Sequence, residues 1–375
     1  KKLLQNLFKN ISYRLFSFAH GKIKGAIKNN GDERIKIKNV NTEKDLVYKV
    51  YKIAEGKLYT DRIHDTAVIL DNKIVEGPSF QLRHQLEPEP KIYNSNINDN
   101  IIFKIGTPRR LRNLDGKVLS LLTGGAGNEN YWHWIYDVLP RIELCKKSFG
   151  IEEVDYFLFP SLLKNFQNET LDLLNIPKDK RLSSEKYRHI KSKELIVTDH
   201  PVEVSGNSTL DIQNIPDWII NWLKNKFIDK KTFKNKNKNK IYIERDFKFS
   251  KKIPERSISN EVEVKKYLLN NGFTSVRLGE INFKKQVELF SNADFIIGLH
   301  GAAFANIVFC NPGTKIIELK SSTAGPVIKN LAKKNNLDYN SISSEAEHLY
   351  KYSFPTQQGH IHIPISSLNE ILKKQ

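Results

Sequence analysis

The sequence predicts an α/β fold built on parallel sheets, and three observations support this prediction. In residues 295–319, two apolar runs at 295–297 and 315–319 flank a short helical stretch at 302–309, which is the pattern of a strand–helix–strand unit. Short apolar strands alternate with helical patterns along much of the remaining chain, which favours crossover helices on a parallel sheet. At 375 residues, the chain is long enough for two α/β domains or one large one.

A basic low-complexity run suggests where two domains divide. Residues 231–240 are dominated by Lys and Asn and contain too few apolar residues to form a core. We therefore place a linker at 231–240, between an amino-terminal α/β domain at 31–230 and a carboxyl-terminal α/β domain at 241–375. The last helix of the second domain is expected to pack back on the first.

Residues 1–30 are predicted to form a separate basic amphipathic segment. Apolar residues such as Leu4, Leu7 and Ile11 recur at helical spacing within 1–18, and Lys9 and Arg14 are interspersed among them. Such a helix can lie on an anionic membrane surface or pack on its own protein, and the sequence leaves both alternatives open.

The net charge of +18 favours polyanionic partners, such as phospholipid headgroups, nucleotides or nucleic acid. No apolar stretch approaches the roughly 18 residues of a transmembrane helix, and no secretory signal is recognisable. Cys145 and Cys310 lie far apart in apolar settings, which is typical of reduced core thiols. We expect a cytoplasmic protein.

The turn at 298–301 is the first candidate ligand site. Gly298, His300 and Gly301 follow the first strand of the 295–319 unit, and open α/β sheets bind ligands at this end of their strands. Small residues let backbone N–H groups approach an anion, and the following helix adds a partial positive charge. Glu318 is placed to accept hydrogen bonds from sugar hydroxyls. The alternative is a buried turn with a structural histidine.

A second candidate site lies at 130–140, after the glycine-rich stretch 124–127. His133 and Asp137 are four residues apart, so on a helix they share one face. The carboxylate can orient the imidazole, and either group could accept a proton from a sugar hydroxyl. The alternative is a His–Asp hydrogen bond within an aromatic core.

Two arginines could hold a diphosphate. Arg245 directly follows the predicted strand at 241–243, so its guanidinium can project from the carboxyl edge of a sheet and bind phosphates bidentately. Arg256 is a weaker candidate of the same kind. The alternative for Arg245 is a surface ion pair with Glu244 or Asp246, which would stabilise little.

Several catalytic motifs are absent from the sequence. There is no Gly-x-x-x-x-Gly-Lys-Ser/Thr phosphate loop and no Gly-x-Ser-x-Gly nucleophile turn. No Cys/His set has zinc-ligand spacing, and no Asp-x-Asp pair is present to hold a nucleotide-bound divalent cation. We therefore expect neither a metal nor a cofactor.

Taken together, three stretches resemble the signatures of glycosyltransferase family 61. Residues 130–141 resemble the first signature, and residues 243–246 with Arg256 and 260–261 resemble the second. The third is resembled by residues 272–273, Phe283, 289–291, 297–306, 312–313 and Glu318. The signatures occur in the right order and span roughly residues 60–335. The chain has Trp132 where relatives often carry Tyr or Phe, and Ala303 where many carry Gly.

The resemblance implies a GT-B architecture, in which two Rossmann-like domains face each other across a cleft. It implies an inverting, metal-independent transferase with a nucleotide-diphosphate sugar donor, for which we expect a UDP-sugar. The carboxyl-terminal domain would bind the donor through Arg245, Arg256, His300, Gly301, Ala302, Asn306 and Glu318. The amino-terminal domain would hold the acceptor near Asn130 and Trp132, with His133 or Asp137 as the base.

We further expect a glycan acceptor, either free or attached to a lipid. The reaction would belong to the synthesis of bacterial capsule or lipopolysaccharide. The enzyme would work in the cytoplasm, peripheral at the inner face of the membrane through residues 1–18, and would not bind nucleic acid. Two alternatives of another class are a basic nucleic-acid-binding module and a membrane-surface scaffold without catalysis.

Overall fold

The computed structural model describes residues 2–20, 22–28, 31–43, 45–62, 65–81, 97–124, 128–229, 239–245, 256–347 and 359–373. It confirms a mixed α/β fold with several sheets. The chain forms two compact units, residues 1–212 and 213–375. None of the helices described is both long enough and apolar enough to cross a membrane.

The first unit contains one mixed sheet, with helices and short helical turns between its strands. The strands are β1 (Ala26–Ile27), β2 (Ile35–Glu43), β3 (Leu46–Ala54), β4 (Lys57–Thr60), β5 (Thr66–Leu70), β6 (Lys73–Val75), β7 (Arg112–Ser120), β8 (Tyr156–Phe159), β9 (Arg181–Ser183) and β10 (His189–Thr198). The helices are α1 (Lys2–His20), α2 (Ile102–Ile105), α3 (Tyr131–His133), α4 (Pro140–Ser148), α5 (Asn165–Leu173) and α6 (Ser208–Asp211), with 3-10 turns at Ile97–Asp99 and Lys178–Lys180 and a π-helical segment at Trp134–Val138.

The parallel half of this sheet positions the candidate site at 130–140. Its strands lie in the order β10-β7-β8-β9, and all neighbours in this half are parallel. Because the chain passes from β7 outward through β8 and β9 and then returns to β10 on the other side of β7, the connections diverge between β7 and β10. Val118 of β7 pairs with Leu195 of β10, and both side chains are fully buried in the core.

The remaining strands form the other side of the sheet and pair antiparallel, except for β1, which is parallel to β6 at the edge. β3 and β4 both pair with β10, and β4, β5 and β6 form a meander. The tight β5–β6 turn is made by Asp71 and Asn72, whose φ angles are 49° and 59°. Asn and Asp tolerate this left-handed conformation, which suits a two-residue hairpin.

The second unit contains a parallel sheet flanked by helices, and a small three-stranded sheet. The strands are β11 (Asn239–Ile243), β12 (Arg256–Ile258), β13 (Thr274–Val276), β14 (Ala293–Leu299), β15 (Lys315–Ser321), β16 (Asp338–Ser344), β17 (Ala346–Glu347) and β18 (Gly359–Ile361). The helices are α7 (Asp217–Phe227), α8 (Glu261–Asn270), α9 (Phe283–Ser291), α10 (Val327–Lys334) and α11 (Ile365–Lys373), with 3-10 helices at Leu278–Glu280 and Ala302–Phe309.

The main sheet of this unit has the strand order β13-β11-β14-β15-β16, and every pair is parallel. In chain order this is 2-1-3-4-5, the doubly wound order whose ligand crevice lies between the first and third strands. β11 and β14 are these strands, and Ile243 pairs with Gly298 at their carboxyl ends. The strand–helix–strand unit expected at 295–319 is therefore confirmed as β14, the 3-10 helix and β15.

The structure differs from the expected organisation at two helices. The sequence places α7 in the first domain, but α7 belongs to the second unit, where the ring of Phe227 lies 4.9 Å from that of Phe283. The last helix, α11, packs on α8 of its own unit, with Leu368 fully buried. Of the linker predicted at 231–240, residues 231–238 lie outside the described residues, while Asn239 and Lys240 begin β11.

The loop after β7 has a steric constraint that yields a stability prediction. Gly124 has φ of +61°, and an added Cβ would lie 2.7 Å from the backbone oxygen of Phe80. We expect Gly124→Ala to lower the free energy of unfolding by about 2 kcal/mol or more, because both strain and overlap arise. Gly206→Ala is the matched control, since Gly206 has φ of +82° with nothing within 4 Å. Urea denaturation measures both variants. Equal losses in the free energy of unfolding for Gly124→Ala and Gly206→Ala would contradict a steric cause.

Candidate functional site

The helix that carries the candidate site at 130–140 begins with a cap and is interrupted by a π segment. The side-chain oxygen of Asn130 accepts the N–H of Trp132 at 2.9 Å, which satisfies a free donor at the start of α3. Pro140 has no N–H to donate, and the N–H of Leu139 bonds to the oxygen of Trp134, five residues back, at 3.1 Å. Such π segments occur often at functional sites, because they change where side chains point.

His133 and Asp137 form a hydrogen-bonded pair on this helix. Nδ1 of His133 lies 2.6 Å from Oδ2 of Asp137. The Asp137 side chain is 5% exposed, whereas that of His133 is 28% exposed. Because an ionised carboxylate only accepts hydrogen bonds, the proton of a neutral His133 lies on Nδ1, and Nε2 keeps a free lone pair. An imidazole held in this tautomer can act as a proton acceptor.

The helix is tied to the end of β10 by a buried arginine. Nε of Arg141 donates to the backbone oxygen of Asp137 at 2.8 Å, and Nη1 donates to the backbone oxygen of Thr198 at 3.1 Å. Burial lowers the pKa of Arg141 to about 10, against the opposing charges of Asp137 and Asp199. The guanidinium therefore stays charged at neutral pH and holds the helix at the divergence point of the sheet.

A second histidine faces the same carboxylate. Nδ1 of His200 accepts the N–H of Val202 at 3.3 Å, so the proton of neutral His200 lies on Nε2, which is 3.8 Å from Oδ2 of Asp137. Nε2 has no hydrogen-bond partner in the part of the chain that the structure describes. Burial lowers the pKa of His200 to about 3 despite the attraction of Asp137. His200 is therefore neutral beside a charged carboxylate.

The charge of Asp137 is stabilised from several sides. Burial alone would raise its pKa, but the charge and hydrogen bond of His133, together with His200 and Arg141, outweigh burial and hold the pKa below its ordinary value. Asp137 therefore remains ionised at neutral pH, as a partner for an imidazolium at His133.

The two residues predicted on the acceptor side lie next to this pair. Asn130 is exposed, and its side chain caps the helix. Trp132 is half-buried, with its ring 4.7 Å from that of Tyr136. Trp132 thus presents part of an aromatic surface one residue before His133.

In the second unit, the predicted residues gather at the ends of β11 and β14. Arg245 follows β11 by two residues and is half-buried. His300 and Gly301 follow β14 directly, and Gly301 and Ala302 begin the 3-10 helix. A Cβ added at Gly301 would have no contact nearer than 3.9 Å, with Nη1 of Arg256 at 4.0 Å. The main sheet thus brings Arg245 and the Gly301 turn to the ligand-binding crevice of a doubly wound fold, and Arg256 lies near the same turn from β12 of the small sheet.

The turn is fixed by a buried chain of side chains. Nδ1 of His300 bonds to Oε1 of Glu318, and the hydroxyl of Tyr339 donates to Oε2 of Glu318. Glu318 is fully buried, and His300 is 4% exposed. Nη1 of Arg256 donates to the backbone oxygen of His300 at 2.9 Å. The His300 ring is therefore buried and bonded within the protein, as the structural alternative predicts, whereas the backbone of Gly301 is crowded by nothing nearer than an ordinary contact. A role of either residue in donor binding stays a prediction.

Two other predicted donor residues are engaged within the protein. One carboxylate oxygen of Glu318 bonds to His300 and the other to Tyr339. Because both oxygens are engaged, a role in orienting His300 is favoured over direct contact with a sugar. Asn306 is fully buried, and its amide donates to Gln286 at 3.1 Å. Neither residue is shown to contact a donor, and such contacts stay predictions. The described residues contain no group of three or more His, Cys, Asp or Glu that could hold a metal ion.

Three residues of these sites have no role in the sequence predictions. Arg141 was covered by the family motif but without a role, and its reach to Thr198 depends on sheet order. His200 follows the end of β10 by two residues, as Arg245 follows β11, so the same strand-end criterion could have found it. Tyr339 contacts Glu318 only because β16 lies beside β15, which a single sequence does not reveal.

Residues 131–317 match the family model Glycosyltransferase 61. The chain belongs to glycosyltransferase family 61. The matched span begins at α3 and ends within β15, so it includes His133, Asp137, Arg245 and the Gly301 turn, while Asn130 and Glu318 lie one residue outside it. No curated protein shows a significant match to the chain. The expected family and enzyme class are confirmed, and the match favours a glycosyltransferase over the two alternatives without catalysis.

The buried histidine of this glycosyltransferase yields a prediction for acid stability. The pKa of His200 is about 3 in the folded protein against an ordinary value of 6.5, so the unfolded chain binds a proton first as the pH falls. Between pH 6.5 and about pH 4, this difference should lower the free energy of unfolding by roughly 3 kcal/mol. His200→Asn, which can still accept the N–H of Val202, should show a correspondingly smaller loss over this range. Urea denaturation at several pH values measures this loss. If the free energy of unfolding falls equally with pH in the wild type and in His200→Asn, the pKa assigned to His200 is contradicted.

Proposed function

We propose that the protein is an inverting, metal-independent glycosyltransferase that moves a sugar from a nucleotide-diphosphate donor to a hydroxyl of a glycan acceptor. The observation that carries the proposal is the placement of complementary groups at two sheet edges. An imidazole paired with a buried carboxylate lies at the divergence point of the first unit, and Arg245 lies with the open Gly301 turn at that of the second. We assign acceptor binding to the first unit and donor binding to the second, in a GT-B arrangement.

His133 is the proposed base. Its Nε2 is the proton acceptor, and its partial exposure is compatible with an approaching hydroxyl, whereas Asp137 is buried. The acceptor hydroxyl loses its proton to Nε2 as its oxygen forms a bond to the anomeric carbon. The bond between that carbon and the diphosphate oxygen breaks on the opposite face, which inverts the configuration. Asp137 stabilises the imidazolium that results.

The leaving diphosphate gains negative charge, which the second unit is suited to stabilise. We assign this role to the guanidinium of Arg245 and the backbone N–H groups of Gly301 and Ala302 at the start of the 3-10 helix. Arg256 supports the turn through the oxygen of His300. Asn306 and Glu318 then hold the shape of the donor site, since their polar atoms bond within the protein.

The wider assignments follow the sequence alone. We propose a UDP-sugar as donor and a glycan acceptor, either free or attached to a lipid. We also propose a role in bacterial capsule or lipopolysaccharide synthesis at the inner face of the membrane. The family resemblance supports the UDP-sugar donor and the glycan acceptor, the Lys/Asn-rich composition supports the bacterial setting, and the net charge of +18 supports a place at an anionic membrane surface. We expect no cofactor.

A substitution at His133 tests the proposed base. His133→Ala should lower turnover by about 10²-fold or more, because the proton acceptor is removed. The donor is first chosen by screening nucleotide-sugars for thermal stabilisation, and release of the nucleotide diphosphate is then followed with glycan acceptors. His362→Ala, at an exposed histidine of the second unit, is the control and should keep full activity. Unchanged turnover in His133→Ala would remove this residue from the role of base.

A substitution at Arg245 tests the proposed diphosphate site. Arg245→Ala should weaken UDP binding by about tenfold or more, since charge-assisted bonds to a diphosphate are lost. Isothermal titration calorimetry gives the dissociation constants directly. Arg34→Ala removes a surface arginine paired with Asp32 and Asp71 in the first unit and should leave UDP affinity unaltered. Equal affinities for both variants would place the diphosphate elsewhere.

A further inference from the structure

Helix α1 is anchored to the first unit by one face of its carboxyl-terminal half. Tyr13, Phe16, Ser17 and His20 are half-buried. The ring of Phe16 stacks on that of His20 at 5.8 Å, and the ring of His20 meets that of His189 edge-on at 5.1 Å. The contact between His20 and His189 thus joins the carboxyl-terminal end of α1 to β10.

The opposite face of α1 is apolar and exposed. Seven large apolar side chains of this helix are at least half exposed, and they account for seven of the fourteen exposed large hydrophobic residues in the described parts of the chain. We refer to them as the α1 stripe, which consists of Leu3 (84%), Leu4 (72%), Leu7 (55%), Phe8 (72%), Ile11 (50%), Leu15 (64%) and Phe18 (94%). One face of α1 thus packs on the protein, as one of the two sequence alternatives predicts, and the membrane contact of the other alternative stays a prediction.

The geometry of the stripe suits a planar apolar surface. At about 100° per residue, its members fall within an arc of about 140°, centred roughly opposite the face that packs on the unit. The helix has 19 residues and is therefore about 28 Å long. A soluble protein rarely exposes a continuous apolar strip of this kind unless the strip contacts a partner or a membrane.

The charges around the stripe favour an anionic partner. Residues 1–31 contain seven Lys and Arg residues and no Asp or Glu. A second copy of the chain would therefore bring like charges together at this face, whereas anionic lipid headgroups would be attracted. Charge complementarity thus favours a bilayer surface as the occupant.

A groove beside the helix adds specific cations to this surface. It has a volume of about 690 Å³ and is lined by residues of α1, α2 and the intervening segment. The groove is lined by three exposed cations, which are Arg14, Lys22 and Lys104. The apolar side chains of Phe18 and Ile105 line it as well. No ion pair joins these three cations to an acidic group in the ranges that the structure describes. Cations beside apolar walls match a phospholipid, whose phosphate adjoins its acyl chains.

We infer that α1 docks the protein on an anionic phospholipid bilayer. The α1 stripe enters the boundary between headgroups and acyl chains, and Arg14, Lys22 and Lys104 contact headgroup phosphates. This contact is independent of the donor and acceptor chemistry, because α1 lies outside the segment that carries the candidate catalytic groups.

Flotation of the full chain with vesicles tests this inference. Wild-type protein should float with vesicles of phosphatidylglycerol and phosphatidylcholine, and much less with phosphatidylcholine alone. The triple variant Leu7→Ser, Ile11→Ser, Leu15→Ser should bind the anionic vesicles about tenfold more weakly or worse, because it removes apolar area from the stripe. The matched control Gln5→Ser, Asn6→Ser, Asn10→Ser alters exposed positions of the same helix outside the stripe and should bind as wild type.

A charge variant separates headgroup contact from apolar contact. Arg14→Glu, Lys22→Glu, Lys104→Glu should lose binding to the anionic vesicles while the stripe is intact, and added salt should weaken wild-type binding. Absence of wild-type flotation on anionic vesicles, or equal flotation of the stripe variant, would overturn the inference.

Two further results would assign the stripe to another occupant. A concentration-dependent dimer in light scattering that disappears in the stripe variant, without vesicle binding, would identify a second copy. A lower melting temperature of the stripe variant but not of the control triple would show that the stripe packs on the protein itself. Either result would overturn the bilayer contact.

Discussion

The first unit depends on one buried negative charge, the carboxylate of Asp137. A buried ion is stable only when neighbouring groups compensate its charge, and here His133 does so by a direct hydrogen bond and His200 by the orientation of its Nε2–H. Arg141 binds the backbone of the same residue and extends to the end of β10. Compensation of this charge therefore also fixes the helix to the sheet and sets the tautomer of His133.

The second unit uses the same pairing of carboxylate and imidazole with a different outcome. Glu318 bonds to Nδ1 of His300 as Asp137 bonds to Nδ1 of His133. His300 is almost completely buried, however, so its ring is suited to holding the turn that presents Gly301, while His133 is open enough to exchange a proton with a ligand. Exposure of the imidazole is thus the difference between two otherwise similar pairs, and the different roles that we propose for His133 and His300 rest on it.

The sequence could predict the elements and the local pairs, because these depend on periodicity and short spacing. The 295–319 unit, the helical spacing of His133 and Asp137, and the position of Arg245 after a strand all follow from local pattern. The position of His300 also follows, whereas its burial was only one of two alternatives that the sequence left open. Family resemblance then identified the enzyme class, which no single motif could have done.

The remaining features depend on which strands are neighbours, and a single sequence does not determine this. Tyr339 reaches Glu318 only across adjacent strands, and Arg141 reaches Thr198 only because β10 lies beside β7. The assignment of α7 failed for a similar reason, because an amphipathic helix next to a linker can join the unit on either side. Its aromatic contacts with Phe283 decide for the second unit.

We assign the nucleotide-diphosphate site to the carboxyl ends of β11 and β14. Hydrogen–deuterium exchange of the full chain with and without UDP tests this assignment, with GDP and CDP as parallel ligands. We expect slower exchange in peptides that cover residues 239–245 and 298–306 with at least one of these ligands. Protection confined to other parts of the chain, or no protection with any of the three, would contradict it.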